Sequence, residues 1–304
     1  MFFSCLPEGL PSVPQAVRSA ALLLVLLLIS GGREPNARAQ PAPGPVVWTT
    51  SLPDTDRLAP HSTAPRSRFL HWTYRDAGAL LRDVGTHAPY FALLGGGLTY
   101  GARADAALQN EIQAAYDNSP ALANALTLAN LMGEREVALP VAGVFALSLT
   151  TDNTRFQDAA FTSLQSLLYA TALTNVLKGT VGRSRPSVGN GPYNTEAFSG
   201  HTSFPSGHTT TAFAVLTPWV LYYPNGATYG LFAVGAGTAT ARVALDRHWP
   251  TDVVAGAAIG ILTARYLTNR HRPSPTAAPN APRLRITPLV GTDALGVGLR
   301  VHIP

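Results

Sequence analysis

The chain is poor in the residues that most often carry chemistry or cross-links. It has one cysteine, Cys5, so a disulfide scaffold, a cysteine-rich metal cluster and a cysteine nucleophile all fall away. It has one lysine, Lys178, against 21 arginines (22 Lys+Arg in all), and no run of basic residues. A nucleic-acid interface therefore has no stripe to rest on, and nucleic acid is excluded as a partner. Charged residues are only 13% and hydrophobic ones 46%, too apolar for a disordered chain. No uninterrupted apolar run approaches the length of a membrane span. HExxH and acidic-triplet metal motifs are missing, and a Walker A loop is excluded because Lys178 follows Leu177 rather than glycine.

What is present sorts into four stretches. Arg18 precedes an apolar run from Ala20 to Ile29, and Ala37-Arg38-Ala39 offers the small-x-small pattern of a cleavage site. Residues 1–39 therefore read as a signal peptide, and the protein as exported to the periplasm or cell envelope. Cleavage there removes Cys5 and lowers the net charge from +5 to +4, since three Arg and two Glu leave. Residues 40–65 are rich in Pro, Ser and Thr and read as a linker or arm. Residues 66–272 show helical patterning, with segments near 68–84, 89–101, 105–131, 136–149, 156–178, 207–222, 228–245 and 250–270. Charges such as Asp105, Glu111, Asp117 and Asp158 are costly in hydrocarbon, which favours a soluble or peripheral bundle. Residues 273–304 read as a second Pro-rich linker, then a β-hairpin. Leu284, Ile286 and Val290 alternate on one arm and Leu295, Val297, Leu299 and Val301 on the other, about a turn at Gly291-Thr292-Asp293-Ala294. The fold class expected is all-α: a bundle of about six core helices with a Pro-rich N-terminal arm and a short C-terminal hairpin.

Three places inside the bundle gather groups suited to an anion. Lys178 closes one helix, and Arg183 and Arg185-Pro186 follow in a loop of about 26 residues between Gly179 and Pro205. Arginine grips two oxygens of a phosphate and lysine one. Pro205-Ser206-Gly207-His208 opens the next helix. Ser206 at its N-cap, the Gly207 N–H and His208 would offer a hydroxyl, free backbone donors and an acid. Arg242 ends an apolar segment, His248 follows, and Asp252 falls one turn into a helix opened by Pro250. From that spacing Asp252 accepts a hydrogen bond from one nitrogen of His248 and frees the other as a nucleophile. Phe198, His201 and Phe204 lie where a pocket rim would be. His61, His71, His87, His271 and His302 are scattered and read as surface or packing.

These three pieces, Lys178-x6-Arg185-Pro186, Pro205-Ser206-Gly207-His208 and Arg242-x5-His248-x3-Asp252, resemble in order the signature of the type 2 phosphatidic acid phosphatase (PAP2) superfamily. Bacterial non-specific acid phosphatases and vanadium haloperoxidases share it, and the likeness covers roughly 160–265. It implies a phosphoric ester hydrolase acting on a phosphomonoester or lipid (pyro)phosphate through a phosphohistidine. His248 would be the nucleophile, Asp252 its orienting carboxylate and His208 the acid and base. Lys178, Arg185, Arg242, Ser206 and the Gly207 N–H would hold the phosphate oxygens. No metal or cofactor is implied, because the cations take a metal's part. Two alternatives keep the same anion cage: a haloperoxidase with vanadate on His248, or a non-catalytic anion-binding envelope protein. The partner implied is a phosphorylated small molecule or a lipid phosphate, with peripheral membrane contact as a further option. One departure stands out: the superfamily usually has Ser before the Arg of the third piece, and here it is Ala241, which removes one candidate phosphate hydroxyl.

Overall fold

In a computed structural model of the chain, the described residues are 65–86, 88–131, 134–272 and the strands 283–290 and 295–302. The signal peptide and the arm expected over 1–65 lie outside them except for Pro65. The Pro-rich stretch 273–282 and the hairpin turn lie outside as well. In chain order the helices are α1 (Pro65–Thr86), α2 (Ala88–Gly101), α3 (Asp105–Asn118), α4 (Pro120–Ala129), α5 (Glu134–Ser148), α6 (Thr154–Val181), α7 (Gly207–Tyr222), α8 (Gly226–Ala244) and α9 (Pro250–His271). The backbones of β1 (Arg283–Val290) and β2 (Leu295–His302) pair antiparallel, Arg283 opposite His302 and Val290 opposite Leu295. The fold is all-α around its core, and no helix among the described residues is long and apolar enough to cross a membrane.

The segment 105–131, expected as one helix, is two. Pro120 takes the first helical position of α4, where its missing N–H costs nothing, and Ser119 accepts the Leu122 N–H at 3.3 Å. The chain turns there, so α3 and α4 can fold separately onto α8. Ile112 and Tyr116 of α3 and Leu122 and Leu126 of α4 enclose Ala241 and Ala244.

Helix α7 is the axis of the bundle. Thr209 through Trp219 are all buried. It carries four threonines yet needs few partners for them, because Thr210 and Thr217 return their hydroxyls to the carbonyls four residues back, at 2.9 and 2.6 Å. Val215 packs with Leu167 of α6 and Val137 and Val141 of α5. Against its other side α9 approaches so closely that only glycine fits. A Cβ on Gly256 would lie 2.6 Å from the Ser206 carbonyl, and one on Gly260 2.5 Å from that of Thr210. That approach sets the start of α7 directly beside the start of α9.

At the far end, Phe69 and Trp72 of α1 meet Phe161 of α6, the two phenyl rings stacked at 4.4 Å between centroids. His271 lies flat on Trp72, 4.0 Å between ring centres.

Candidate active site

The loop from Gly182 to Ser206 is folded back under the end of α6. Gly182 closes α6 at φ +56°, and a Cβ there would sit 1.7 Å from the Glu196 carbonyl. Only glycine permits this return. The Glu196 N–H bonds to the Gly182 carbonyl at 2.9 Å, and Arg183 bridges to Thr195. The return places Thr202 and Ser203 against the helix they left. Lys178 Nζ donates to the Thr202 carbonyl at 2.7 Å, and Arg185 Nη2 to the Thr202 hydroxyl at 3.2 Å. Arg185 Nε is buried without a hydrogen-bond partner among the described residues, an open donor beside Lys178.

His248 is buried, 2% exposed. Its Nδ1 lies 2.6 Å from the Ser203 carbonyl. A carbonyl only accepts, so Nδ1 carries the proton and Nε2 is the bare nitrogen. The expected bond from His248 to Asp252 is replaced: Oδ2 of Asp252 stands 3.8 Å from Nδ1, a charge contact and not a hydrogen bond. Ser203 links the two instead, since its hydroxyl donates to Asp252 Oδ2 at 2.5 Å while its carbonyl takes the ring. Asp252 Oδ2 also receives the Trp249 N–H at 2.9 Å, and Oδ1 receives Arg183 at 2.6 Å. Burial alone would raise the Asp252 pKa, but His248, Arg183 and Ser203 together hold it below the usual carboxylate range.

Ser206 stands at the N-cap of α7 but does not cap it through its side chain. Its Oγ instead accepts the Thr209 hydroxyl at 3.0 Å, which leaves its own proton to donate. Its N–H is tied to the Asp252 carbonyl at 3.0 Å, so the openings of α7 and α9 are bonded to each other. Gly207 is the first residue of α7, and the Thr210 N–H is used internally, bonding to the Ser206 carbonyl.

His208 reports how these parts converge. Its pKa is held down to about 4, first by burial and then by the charges of Arg242, His248, Lys178 and Arg185. Four groups from α6, its following loop, α8 and the turn before α9 thus act on one imidazole. His248 is also held down to about 4, by burial first, with Asp252 opposing and Lys178 and Arg242 adding. Arg242 is 8% exposed, and its Nη1 donates to Asn130 at 3.1 Å. Its carbonyl receives the His248 N–H at 3.1 Å, fixing the turn that presents the ring.

Three sequence readings change here. Arg183 does not join Lys178 and Arg185 at Thr202. Its guanidinium makes five donor contacts: Nε and Nη2 to the Pro192 carbonyl, Nη1 to Thr251 and Asp252, Nη2 to Asp105. Ala241 is fully buried in the apolar cluster with Leu126 and Ala244, so a hydroxyl there would lie in that core. His271, read as surface or packing, sits in a buried ionic cluster with Asp76. Phe198 is 80% exposed on a backbone at φ +60°, and His201 and Phe204 are half-buried. The residues sequence reading missed are Ser203, Asp105, Asn130 and the true role of Arg183. No motif marks them, because each works through a partner distant in the chain.

Residues 159–274 match the PAP2 superfamily. Lipid A 1-phosphatases are among the chain's relatives. That of Rhizobium johnstonii is 35% identical over 100 residues, 31% of this chain and 41% of the relative. That of Rhizobium etli is 35% identical over 100 residues, 31% of this chain and 43% of the relative. That of Porphyromonas gingivalis is 38% identical over 93 residues, 30% of this chain and 19% of the relative. The chain thus spans less than half the length of each of these relatives. No solved structure matches the chain.

Proposed function

We propose that the protein is a phosphatase that cleaves a lipid phosphate ester through a phosphohistidine on His248, a reading supported by the match of residues 159–274 to the PAP2 superfamily. One observation carries this reading: Lys178 and Arg185 both donate to Thr202, and the proton on Nδ1 of His248 is committed to the next residue, Ser203. An unprotonated imidazole nitrogen beside a clustered positive field is a nucleophile facing an anion site. The relatives' printed activity supports lipid phosphate as the substrate class, with the 1-phosphate of lipid A the first compound to try.

In this reaction the Nε2 lone pair of His248 attacks phosphorus, and the P–O bond to the lipid breaks. The leaving oxygen takes its proton from His208. Lys178, Arg185, Arg242, Ser206 and the Gly207 N–H hold the non-bridging oxygens as charge builds on them. Asp252, at 3.8 Å, steadies the positive charge that the ring acquires. Water then gives a proton to His208 and its oxygen to phosphorus; the N–P bond breaks and inorganic phosphate leaves. His208 is neutral at pH 7, because burial first and then the nearby cations hold its pKa down to about 4. A bound phosphate dianion offsets them and raises it, so the substrate itself arms the acid. The cations supply the charge neutralisation that a metal gives elsewhere, so EDTA leaves turnover unchanged. The N-terminal pattern supports export, and N-terminal sequencing of the exported protein is expected to start near Gln40.

The test is a phosphate-release assay on lipid A, phosphatidate and p-nitrophenyl phosphate with orthovanadate as inhibitor. His248→Ala abolishes release and retains helical circular dichroism. Full turnover by His248→Ala would overturn the assignment.

A further inference from the structure

Arg183 has no donor left for a substrate. All five of its N–H groups are spent, and it is 4% exposed. What it holds is informative. Nη1 grips Asp252 at 2.6 Å and the Thr251 hydroxyl at 2.9 Å. Nη2 grips Asp105 at 2.7 Å. Asp105 in turn receives the Thr251 N–H at 2.9 Å on one oxygen and the Thr251 hydroxyl at 2.6 Å on the other. Both carboxylates are wholly buried. The Arg183 carbonyl also receives the Ser203 N–H at 3.0 Å. Ser203 is the residue that touches both Asp252 and His248.

We propose that Arg183, braced by Asp105, is the positioning residue of the site: its side chain fixes Asp252 and its backbone fixes Ser203, and through these two it fixes the ring of His248. The proposal rests on His248 being the nucleophile. Its novelty lies in α3. Asp105 falls outside residues 159–274, the stretch matched to the superfamily, so the site is braced by a part of the chain beyond that match. The physics favours a guanidinium. A planar fork reaches two carboxylates, a hydroxyl and a carbonyl at once, and an ammonium with three donors cannot. Asp105 also caps the free Thr251 N–H in the first turn of α9, where a carboxylate is favoured by the helix dipole. One ion triad therefore sets both the axial position of α9 and the carboxylate it carries.

The charged groups that bear on His248 are Asp252, Lys178 from α6 and Arg242 from α8; those that bear on Asp252 are His248 and Arg183, and Arg183 is paired with Asp105 from α3. Removing the Arg183 cation leaves the Asp252 charge less compensated and takes away a nearby positive charge. Both effects favour protonated His248.

The experiment uses the full chain with Arg183→Gln, Arg183→Lys, Asp105→Asn and the double variant Asp105→Asn/Arg183→Gln. Two readouts are taken: steady-state kinetics on p-nitrophenyl phosphate, and the titration of the His248 ring proton by NMR, assigned by its loss in His248→Ala. The expected result is a fall in kcat of about a hundredfold with KM changed little. Arg183→Lys recovers little of it. The His248 titration moves upward by about one unit, and the double variant falls no further than Arg183→Gln alone. Two results overturn the proposal. One is a raised KM at unchanged kcat, which makes Arg183 a substrate ligand. The other is an unchanged kcat and titration, which makes the triad mere packing. If Arg183→Gln does not fold, Asp105→Asn, which keeps the shape of the side chain, decides by the same criteria. If the wild type turns over no phosphate ester, the phosphatase reading fails, and the NMR titration still tests whether Arg183 sets the environment of His248.

Discussion

Lys178 is the residue most exposed to a direct chemical test. In a chain with 21 arginines, a lone lysine at the end of α6 has to reach the Thr202 carbonyl at 2.7 Å beside Arg185. A guanidinium is wider and flat, and it cannot put a single donor in the same spot. Lys178→Arg keeps the charge and yet is expected to lower kcat/KM about a hundredfold, the usual loss for one oxyanion donor. Wild-type activity in that variant would sink the point-donor argument. The two imidazoles set the pH response. In the proposed mechanism His248 has to be neutral to attack, and burial holds its pKa down to about 4, so kcat/KM is expected to fall as pH drops through about 4. His208 has to be protonated to serve as the proposed acid; burial and the cations hold it down to about 4, and a bound phosphate dianion is expected to raise it. The profile is therefore a bell displaced to the acid side, and phosphate binding lifts the His208 titration in an NMR experiment. The polar residues at the openings and ends of helices were readable in the sequence because their spacing is local and their chemistry recognisable. Ser203, Arg183 and Asp105 were not. Arg183 meets Asp105 78 positions away, and Thr251 meets it across 146. No spacing rule connects such residues, and a serine in a polar loop looks like any other. The spacing of His248 and Asp252 shows that they pair but not how. Their four-residue spacing brings them to 3.8 Å, but the nearer acceptor is a carbonyl from another part of the chain.

At the scale of elements, the approach of α7 and α9 decides whether the parts of the site meet. Gly256 and Gly260 make it possible, and the obstructing atoms are backbone, which cannot swing aside. Gly260→Ala gains about 1 kcal/mol of helix propensity but is expected to lose more, since overpacking costs about 1–3 kcal/mol. Gly256→Ala meets the Ser206 carbonyl, so it is expected to reduce kcat as well as stability. Gly230 in the second turn of α8 is the contrast. Nothing lies within 4 Å of its Cβ position, so Gly230→Ala is expected to stabilise by about 0.5–1 kcal/mol. Urea unfolding of the three variants separates close approach from glycine content. The helical segments themselves were legible from their patterning, because burial on one face writes a period into the sequence. The division of 105–131 was marked by Ser119-Pro120, a start signal within an apparently continuous segment. The depth of contact between α7 and α9 left no periodic trace, since a small residue in a helix reads the same whether it faces solvent or a neighbouring backbone.

For the molecule as a whole, α9 is fixed at both ends, and the two fixings have different duties. At its start it is tied to α3 and to the loop that carries Arg183 and Ser203. Roughly 28 Å away, at 1.5 Å per residue, His271 Nε2 lies 2.7 Å from Asp76 Oδ2 of α1. Arg270 and Arg75 reach Asp76 Oδ1 at 2.9 and 3.0 Å. Thr162 of α6 lies 2.7 Å from the other nitrogen of His271. Asp76 is fully buried. Burial raises its pKa, yet His271 and the two arginines bring it down to about 2. Removing a buried carboxylate from such a group leaves cations unpaired and costs about 3–5 kcal/mol. Asp76→Asn is thus expected to unfold at markedly lower urea, while kcat per folded molecule stays that of wild type, because the cluster is a helix length from His248. The acid response separates the contributions. An Asp held at about 2 when folded and 3.8 when unfolded gives stability that is complete above 3.8 and lost as pH falls towards 2. His271 is held below 6.5 chiefly by burial, so it adds stability that begins to fade as pH drops below 6.5. Wild-type stability should therefore decline in two stages on acidification, and Asp76→Asn should erase the lower stage. Equal loss of stability and of kcat in that variant would mean that the far end of α9 does reach the active site.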